Sequence, residues 1–440
     1  MPGAILRPGI RATSASYTAR GTQKVTMNTN DASARHAERM KRVTDAIALR
    51  QPDRVPVIYH TQFWHARRAG MNYRQAMYDY GRLMDTCRDV VLELQPDMYA
   101  SPLRPAFGPT LDAVGYKQLE WPGHGTGDDS MFQYLDREYM KPEEYKEFLF
   151  DPTGYFLAKY LPRIGTAFEG LEKLPSIPTL YYGRMFAMLP RFADPDVVRA
   201  FGELKKAGEE AARLGACMRS YAEDMDRLGF PESQGVAASA PFDYFGDHFR
   251  GSKGILLDMY RRKDELLAAL DKAATILINH TVESGARHPS KLVFIPIHWA
   301  MDSFMSLAQF KTFFWPSFRT MLLGLIDAGL VPVAFWESNC SSRLEVIADI
   351  PPGKAIYWFE SADLVKAKQV LGNVACLRGN VPASMLATGT PEDVDAYCRM
   401  LIEKIGRDGG FILDGACGIP DEARPDNVKA MFASVHKYAA

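Results

Sequence analysis

The chain has 440 residues, with 52 Lys and Arg against 53 Asp and Glu and a formal net charge of -1. That balance argues against an electrostatic nucleic-acid surface, and no apolar run approaches the roughly 20 residues needed to cross a bilayer. Hydrophobic content of 47% and charged content of 24% allow a sizeable core in one long domain. The six cysteines (Cys87, Cys217, Cys340, Cys376, Cys398 and Cys417) contain no CxxC pair. Scattered thiols in a chain this long point to a reduced, cytoplasmic protein with one or two available as ligands.

Residues 1–30 are rich in Ser, Thr, Arg and Gly and lack an apolar h-region, so they do not read as a secretory signal. They are expected to be a disordered extension, either transit-like or lying ahead of a second start at Met27. From Ser33 to Leu49 the spacing of Met40, Val43, Ala46 and Ile47 predicts an amphipathic helix. Arg54–Tyr59 reads as a first strand, 73–94 as a helix and Asp97–Ala100 as a second strand. Residues 103–150 are irregular and rich in Pro, Gly and aromatics, as expected of a lid or insertion over an active face. Helical segments follow near 153–170 and 194–228, with Pro178–Tyr182 extended between them.

Gln234–Ala240 predicts a further strand, leading to Pro241, Phe242 and Asp243, and 255–286 a long helix. From there strands and helices alternate. Strands are expected at Leu292–Ile297, Val331–Phe335, Ala355–Phe359, Ala375–Leu377 and Phe411–Leu413. The intervening helices fall near 318–328, 342–349, 364–371 and 391–405. Repeated βα units with short turns imply parallel strands, and this many in succession imply a closed (β/α)₈ TIM barrel in residues 31–440. A doubly wound sheet is the runner-up, but no strand leads into a GxGxxG turn.

In a barrel of this kind reacting groups gather at the C-terminal ends of the strands. That topology brings His298, Glu337, Glu360 and Cys417 to one rim, with Asp97 and Arg67 from the first half. Cys417 sits between Gly415 and Gly418, on a loop that breaks the last strand. A small apolar cysteine packed under a turn is an equal reading of that position. An imidazole, a carboxylate and a thiolate are the ligand types of zinc sites with an open position. Glu360 is expected to pair with an arginine and is left out of that set. Tyr59, Trp64, Trp299, Phe304, Phe335, Trp336 and Trp358 crowd the same strand ends. Aromatics there usually pack as core, but a surplus beside polar groups favours an apolar or aromatic substrate.

From about residue 50 to 435 the chain resembles the uroporphyrinogen decarboxylase superfamily of (β/α)₈ barrels, which includes zinc-dependent, corrinoid-linked methyltransferases. Trp64-His65-Ala66-Arg67-Arg68-Ala69-Gly70 is similar to the decarboxylase's tryptophan–x–methionine–arginine–glutamine–alanine–glycine segment, with Arg67 at its first substrate-binding arginine. Met71 replaces the second arginine, and Ala416-Cys417-Gly418 stands where the decarboxylase has Gly-His-Gly. Both changes remove groups that a polycarboxylate tetrapyrrole would use. In the methyltransferase branch a cysteine in a glycine–cysteine–glycine-like loop binds zinc, and Cys417 matches it. That branch's histidine–x–cysteine segment corresponds to Phe335-Trp336-Glu337, so a third ligand would come from elsewhere, with His298 the candidate. Gly389–Glu392 and Pro425–Asn427 match features of the whole superfamily.

The resemblance therefore implies a zinc-dependent methyltransferase of O-demethylase type. It would move a methyl group from a small aromatic or apolar donor to a corrinoid (cobalamin) held by a partner protein. His298, Glu337 and Cys417 would bind the metal, Asp97 or Arg67 would orient substrate, and Tyr59, Trp64, Trp299, Trp336 and Trp358 would line the pocket. Two alternatives stand beside it. One is a metal-independent decarboxylase or lyase of a small aromatic acid, with Arg67 on the carboxylate and Asp97 stabilising a protonated intermediate. The other is a corrinoid- or tetrapyrrole-binding protein without catalysis. No nucleic-acid or membrane partner is expected, and a homodimer is left open.

Overall fold

Eight parallel strand segments close on themselves. The computed structural model describes residues 29–177 and 180–439. The segments are β1 (Ile58–Tyr59), β2 (Met98–Tyr99), β3 (Val236–Ala237), β4 (Leu292–Ile297), β5 (Val331–Trp336), β6 (Ile356–Phe359), β7 (Cys376–Val381) and β8 (Phe411–Gly415). β3 to β8 form one continuous parallel sheet in chain order, and β1 pairs with β2. Two junctions complete the ring. Tyr99 bridges Glu232 just ahead of β3, with Ser233 N donating to Tyr99 O at 2.7 Å. Val57 bridges Leu413, with Leu413 N donating to Pro56 O at 2.8 Å. The result is a (β/α)₈ barrel.

Apart from β3, the strands are largely buried on both faces, so they read as near-continuous apolar runs. β5 is buried at every position but its first, and β6 throughout. The period of two still sorts them. Ile58, Val333, Ile356, Cys376 and Ile412 form an apolar layer with Val43 and Ala46, which come from the helix Thr29–Ile47. Two residues further along each strand the inward positions change character to His60, Phe335, Trp358, Arg378 and Asp414. Two further again, Glu337, Glu360 and Asn380 follow. The side chains between them, among them Tyr59, Trp336, Tyr357 and Phe359, belong to the core packed with the surrounding helices.

The helix expected over 73–94 is broken at Asp79, whose side chain caps the second half by accepting from Arg82 N. The long helix over 255–286 is likewise two, Gly251–Arg261 and Lys263–Ala286. Between β2 and β3 the chain makes an excursion with a small sheet of Leu119–Pro122, Gly125–Thr126 and Gln133–Tyr134. The stretch expected to be extended, Pro178–Tyr182, falls partly outside the described residues, and Tyr182 begins a helix. Residues 1–28 of the expected extension also lie outside them. Among the described residues no helix is long and apolar enough to cross a membrane.

Candidate functional site

The C-terminal ends of the strands open into a cavity of about 1050 Å³. His60, Phe294, Phe335 and Trp358 line it from the strands, while Tyr116, Gln118, Phe132, Tyr134 and Asp136 reach it from the excursion. His298, Glu337 and Cys417, from three distant parts of the chain, line the same cavity.

His298 follows β4 and is held from below. The fully buried Asp243 accepts the backbone N–H of His298 at 3.0 Å and of Trp299 at 3.2 Å. Asp247, one helical turn on, receives His298 Nδ1 at 2.7 Å and Trp299 Nε1 at 2.7 Å on its two oxygens. On the other side His298 Nε2 lies 3.5 Å from Glu337 Oε1. Burial works against an imidazolium here, but the hydrogen bonds to Asp247 and Glu337 and the charges of Asp247 and Asp243 outweigh it and lift the His298 pKa to about 11. Asp243 is pushed well above the usual carboxylate range by burial and by the charge of Asp247.

The Cys417 loop is stapled to β1. Ile419 N donates to His60 O at 2.8 Å, and Thr61 Oγ1 donates to Ile419 O at 2.8 Å. Gly418 has φ +79°, and a Cβ there would stand 2.6 Å from His60 O, so only glycine lets the loop close this tightly. Cys417 is exposed to solvent, not packed under the turn; partial desolvation of its thiol, with the charges of Glu360, Asp414 and Glu337, still pushes it up to about 11.

Beneath the cavity floor Arg378 donates to Asp414 Oδ2 from Nε at 2.8 Å and from Nη2 at 2.6 Å, with both side chains buried. Its guanidinium lies 3.9 Å from the Trp358 ring centroid, and Nη2 is 3.3 Å from His60 Nδ1. Burial, with Arg378 alongside, holds His60 well below its usual pKa and therefore neutral. Trp358 is fixed further by Nε1 donating to Gly415 O at 3.0 Å and by Phe335, whose ring centroid is 4.1 Å away.

Several residues expected at the rim lie elsewhere. Asp97 precedes β2 and so sits at the opposite end of the barrel, where it accepts from Arg42, Arg54 and the backbone of Val57. Its completely buried carboxylate is a structural anchor, not a catalytic group. Arg67 is part-exposed beside the mouth, 3.3 Å from Asp129 and over the Tyr73 ring, and does not itself line the cavity. Of the five aromatics assigned to the pocket, Trp299 and Trp358 line it. Tyr59 (Oη to His65 Nδ1, 3.2 Å), Trp64 (Nε1 to Ala423 O, 2.7 Å) and Trp336 are core. The parity of the strands decides this: if Glu337 and Phe335 face the axis, Trp336 cannot. Glu360, expected to pair with an arginine, lines the cavity and accepts the backbone N–H of Ser338. Asp247 went unrecognised in the sequence. Its signal was position, four residues and so about one helical turn after Asp243 in the helical segment that follows β3.

A metal ion could draw on part of this set. Asp247 holds His298 through Nδ1 and leaves Nε2 turned towards Glu337, the carboxylate–histidine orientation found behind metal ligands. With Glu337 and the Cys417 thiol, the donor types are those of an open zinc site. Among the described residues no three His, Cys, Asp or Glu side chains already stand together as a metal-binding group. The donors thus fit by chemical type, but the three are not assembled as a metal-binding group in this structure.

Comparison with known proteins follows the same lines. The family model described as uroporphyrinogen decarboxylase (URO-D) matches residues 180–438, well over half of the chain. The uroporphyrinogen decarboxylase of Methylococcus capsulatus is 25% identical over 262 residues, which cover 57% of this chain and 72% of that protein. That of Pseudomonas syringae pv. tomato is 27% identical over 196 residues, covering 44% of this chain and 53% of the relative. A methyltransferase from Methanosarcina mazei superposes with a TM-score of 0.57 at 18% identity, covering 91% of this chain and 99% of that one. At that identity the likeness speaks to the fold.

Proposed function

The chain belongs to the uroporphyrinogen decarboxylase family, and from that premise we propose that it is a zinc-dependent methyltransferase of O-demethylase type. It moves a methyl group from a small donor held in the cavity to a corrinoid carried by a separate protein. The observation that carries this reading is that His298, Glu337 and Cys417 line one cavity, with His298 Nε2 and Glu337 Oε1 3.5 Å apart. Bound there, zinc would supply a Lewis acid for the heteroatom that bears the methyl group.

The chain's own residues orient and enclose. Asp247 fixes the His298 ring and the Trp299 indole together, and Asp243 fixes the backbone beneath both. Phe294, Phe335 and Trp358 give an apolar aromatic floor, suited to an unsaturated or alkyl group stripped of water. The excursion brings Tyr116 and Phe132 over the same space.

Decarboxylation of a carboxylate-rich substrate is the weaker reading. Among the described residues the cavity lining contains no Lys or Arg, so no fixed cation stands where such carboxylates would need one.

Metal analysis tests the proposal. The purified protein should hold zinc, Cys417→Ala and His298→Ala should lose most of it, and methyl transfer to reduced cobalamin should fall with it. Zinc undiminished in Cys417→Ala would overturn the ligand assignment.

A further inference from the structure

The cavity is strongly one-sided in charge. Seven carboxylates line it, among them Asp247, Glu337, Glu360 and Asp421. Its other ionisable lining groups with a basic form are three histidines, of which His60 is held neutral. His298 offsets one negative charge by lying between Asp247 and Glu337. The others are not matched in this way inside the cavity. Asp421 Oδ1 accepts the N–H of Phe63, and its Oδ2 is buried with no hydrogen-bond partner. Assigning Glu337 and Cys417 to a metal ion would leave Glu360 uncompensated still, with no Lys or Arg in the cavity lining to match it.

Aromatic faces sit among these charges. The Trp299 indole is tied to Asp247 through Nε1, so ring and carboxylate are held side by side. Phe335 stacks on Phe294, with centroids 6.2 Å apart, and leans on Trp358. One face of Trp358 already carries a cation, the guanidinium of Arg378. Aromatic faces and carboxylates in a walled cavity attract an organic cation twice: through the ring quadrupoles and through a negative potential focused by low-dielectric walls. The same field repels an anion and gives a neutral isostere nothing beyond apolar contact.

We propose that this cavity selects a substrate bearing a positively charged nitrogen, of the alkylammonium class, whose cationic group rests between the aromatic floor and the carboxylate of Glu360. This rests on the reading of the cavity as the methyl-donor site, and it narrows that donor from apolar or aromatic molecules in general to organic cations.

Titration calorimetry on the purified full chain tests it, with choline, its neutral isostere 3,3-dimethylbutan-1-ol and the anion 3,3-dimethylbutanoate as probes. Choline should bind about tenfold or more tighter than the alcohol, and the anion should show no binding. Choline affinity should fall as ionic strength rises. Glu360→Gln, which keeps the shape and removes one charge, should weaken choline about threefold or more and leave the alcohol unaffected. Equal affinity for choline and the alcohol, or tighter binding of the anion, would overturn the proposal whether or not the variant folds. Zinc content measured on the same samples separates the two readings. Cation preference without zinc would sink the metal assignment alone, and zinc without cation preference would sink this inference alone.

Discussion

Asp247 Oδ2 stands 2.7 Å from His298 Nδ1, and this contact, with Glu337 on the other side of the ring, favours the protonated imidazole. In metal-free protein His298 should stay protonated through neutral pH, because its pKa is raised to about 11. A folded-state pKa raised above the ordinary value near 6.5 contributes stability that is fully present below about pH 6.5 and is lost as pH rises through about 11. Asp247→Asn should therefore bring the His298 titration down sharply, as followed by histidine NMR. The stability gap to the wild type should be widest below about pH 6.5 and close towards pH 11.

Asp97 offers the converse test. Its carboxylate is completely buried between Arg42 and Arg54 at the end of the barrel away from the cavity. Asp97→Asn should cost roughly 3–5 kcal/mol, since it leaves guanidinium charge buried without its partner. Denaturant unfolding measures that loss. Methyl transfer per folded molecule should stay at the wild-type level; a large fall in it would return Asp97 to the chemistry.

Arg378 pairs with Asp414 underneath Trp358, and both are buried. Burial raises the Asp414 pKa to about 6 even with Arg378 alongside. Arg378→Met should destabilise the fold by about 3–5 kcal/mol at alkaline pH, where Asp414 would be left as a lone buried charge. Arg378 is what lowers the Asp414 pKa, so in the variant that carboxyl should titrate above about 6 and much of the loss should already have returned at mildly acidic pH. A pH series of unfolding curves checks both parts.

Gly418 is placed by conformation and by space. Its φ of +79° and the 2.6 Å approach of a Cβ to His60 O make Gly418→Ala cost about 1–3 kcal/mol. The strain falls on the loop that carries Cys417, so that thiol should react faster with an alkylating reagent than in the parent. An unchanged rate would mean that the loop is held by other contacts.

The strand series from Leu292 onward was legible because parallel barrel strands, buried on both faces, are dense apolar runs between turns. Leu292–Ile297 was read to the residue. β1 and β2 were expected longer than their two-residue cores, since pairing in this half of the ring is sparse. The helix breaks at Asp79 and Arg262 were missed because capping and a bend there override a continuous apolar pattern.

The sequence by itself determined the alternation of strands and helices, and hence a barrel with His298, Glu337, Glu360 and Cys417 at one rim. Such placement follows from chain order, because every strand enters from the same side. Which side chains face the axis was decided only by the tertiary structure, through the register that closes β8 onto β1. That register points Phe335 and Trp358 inward and Trp336 outward, and puts Asp97 at the far end. The cavity's charge was likewise beyond sequence, because a net charge near zero conceals seven carboxylates gathered in one place. Adding up charge along a chain carries no information about distance, and distance is what an electrostatic field depends on.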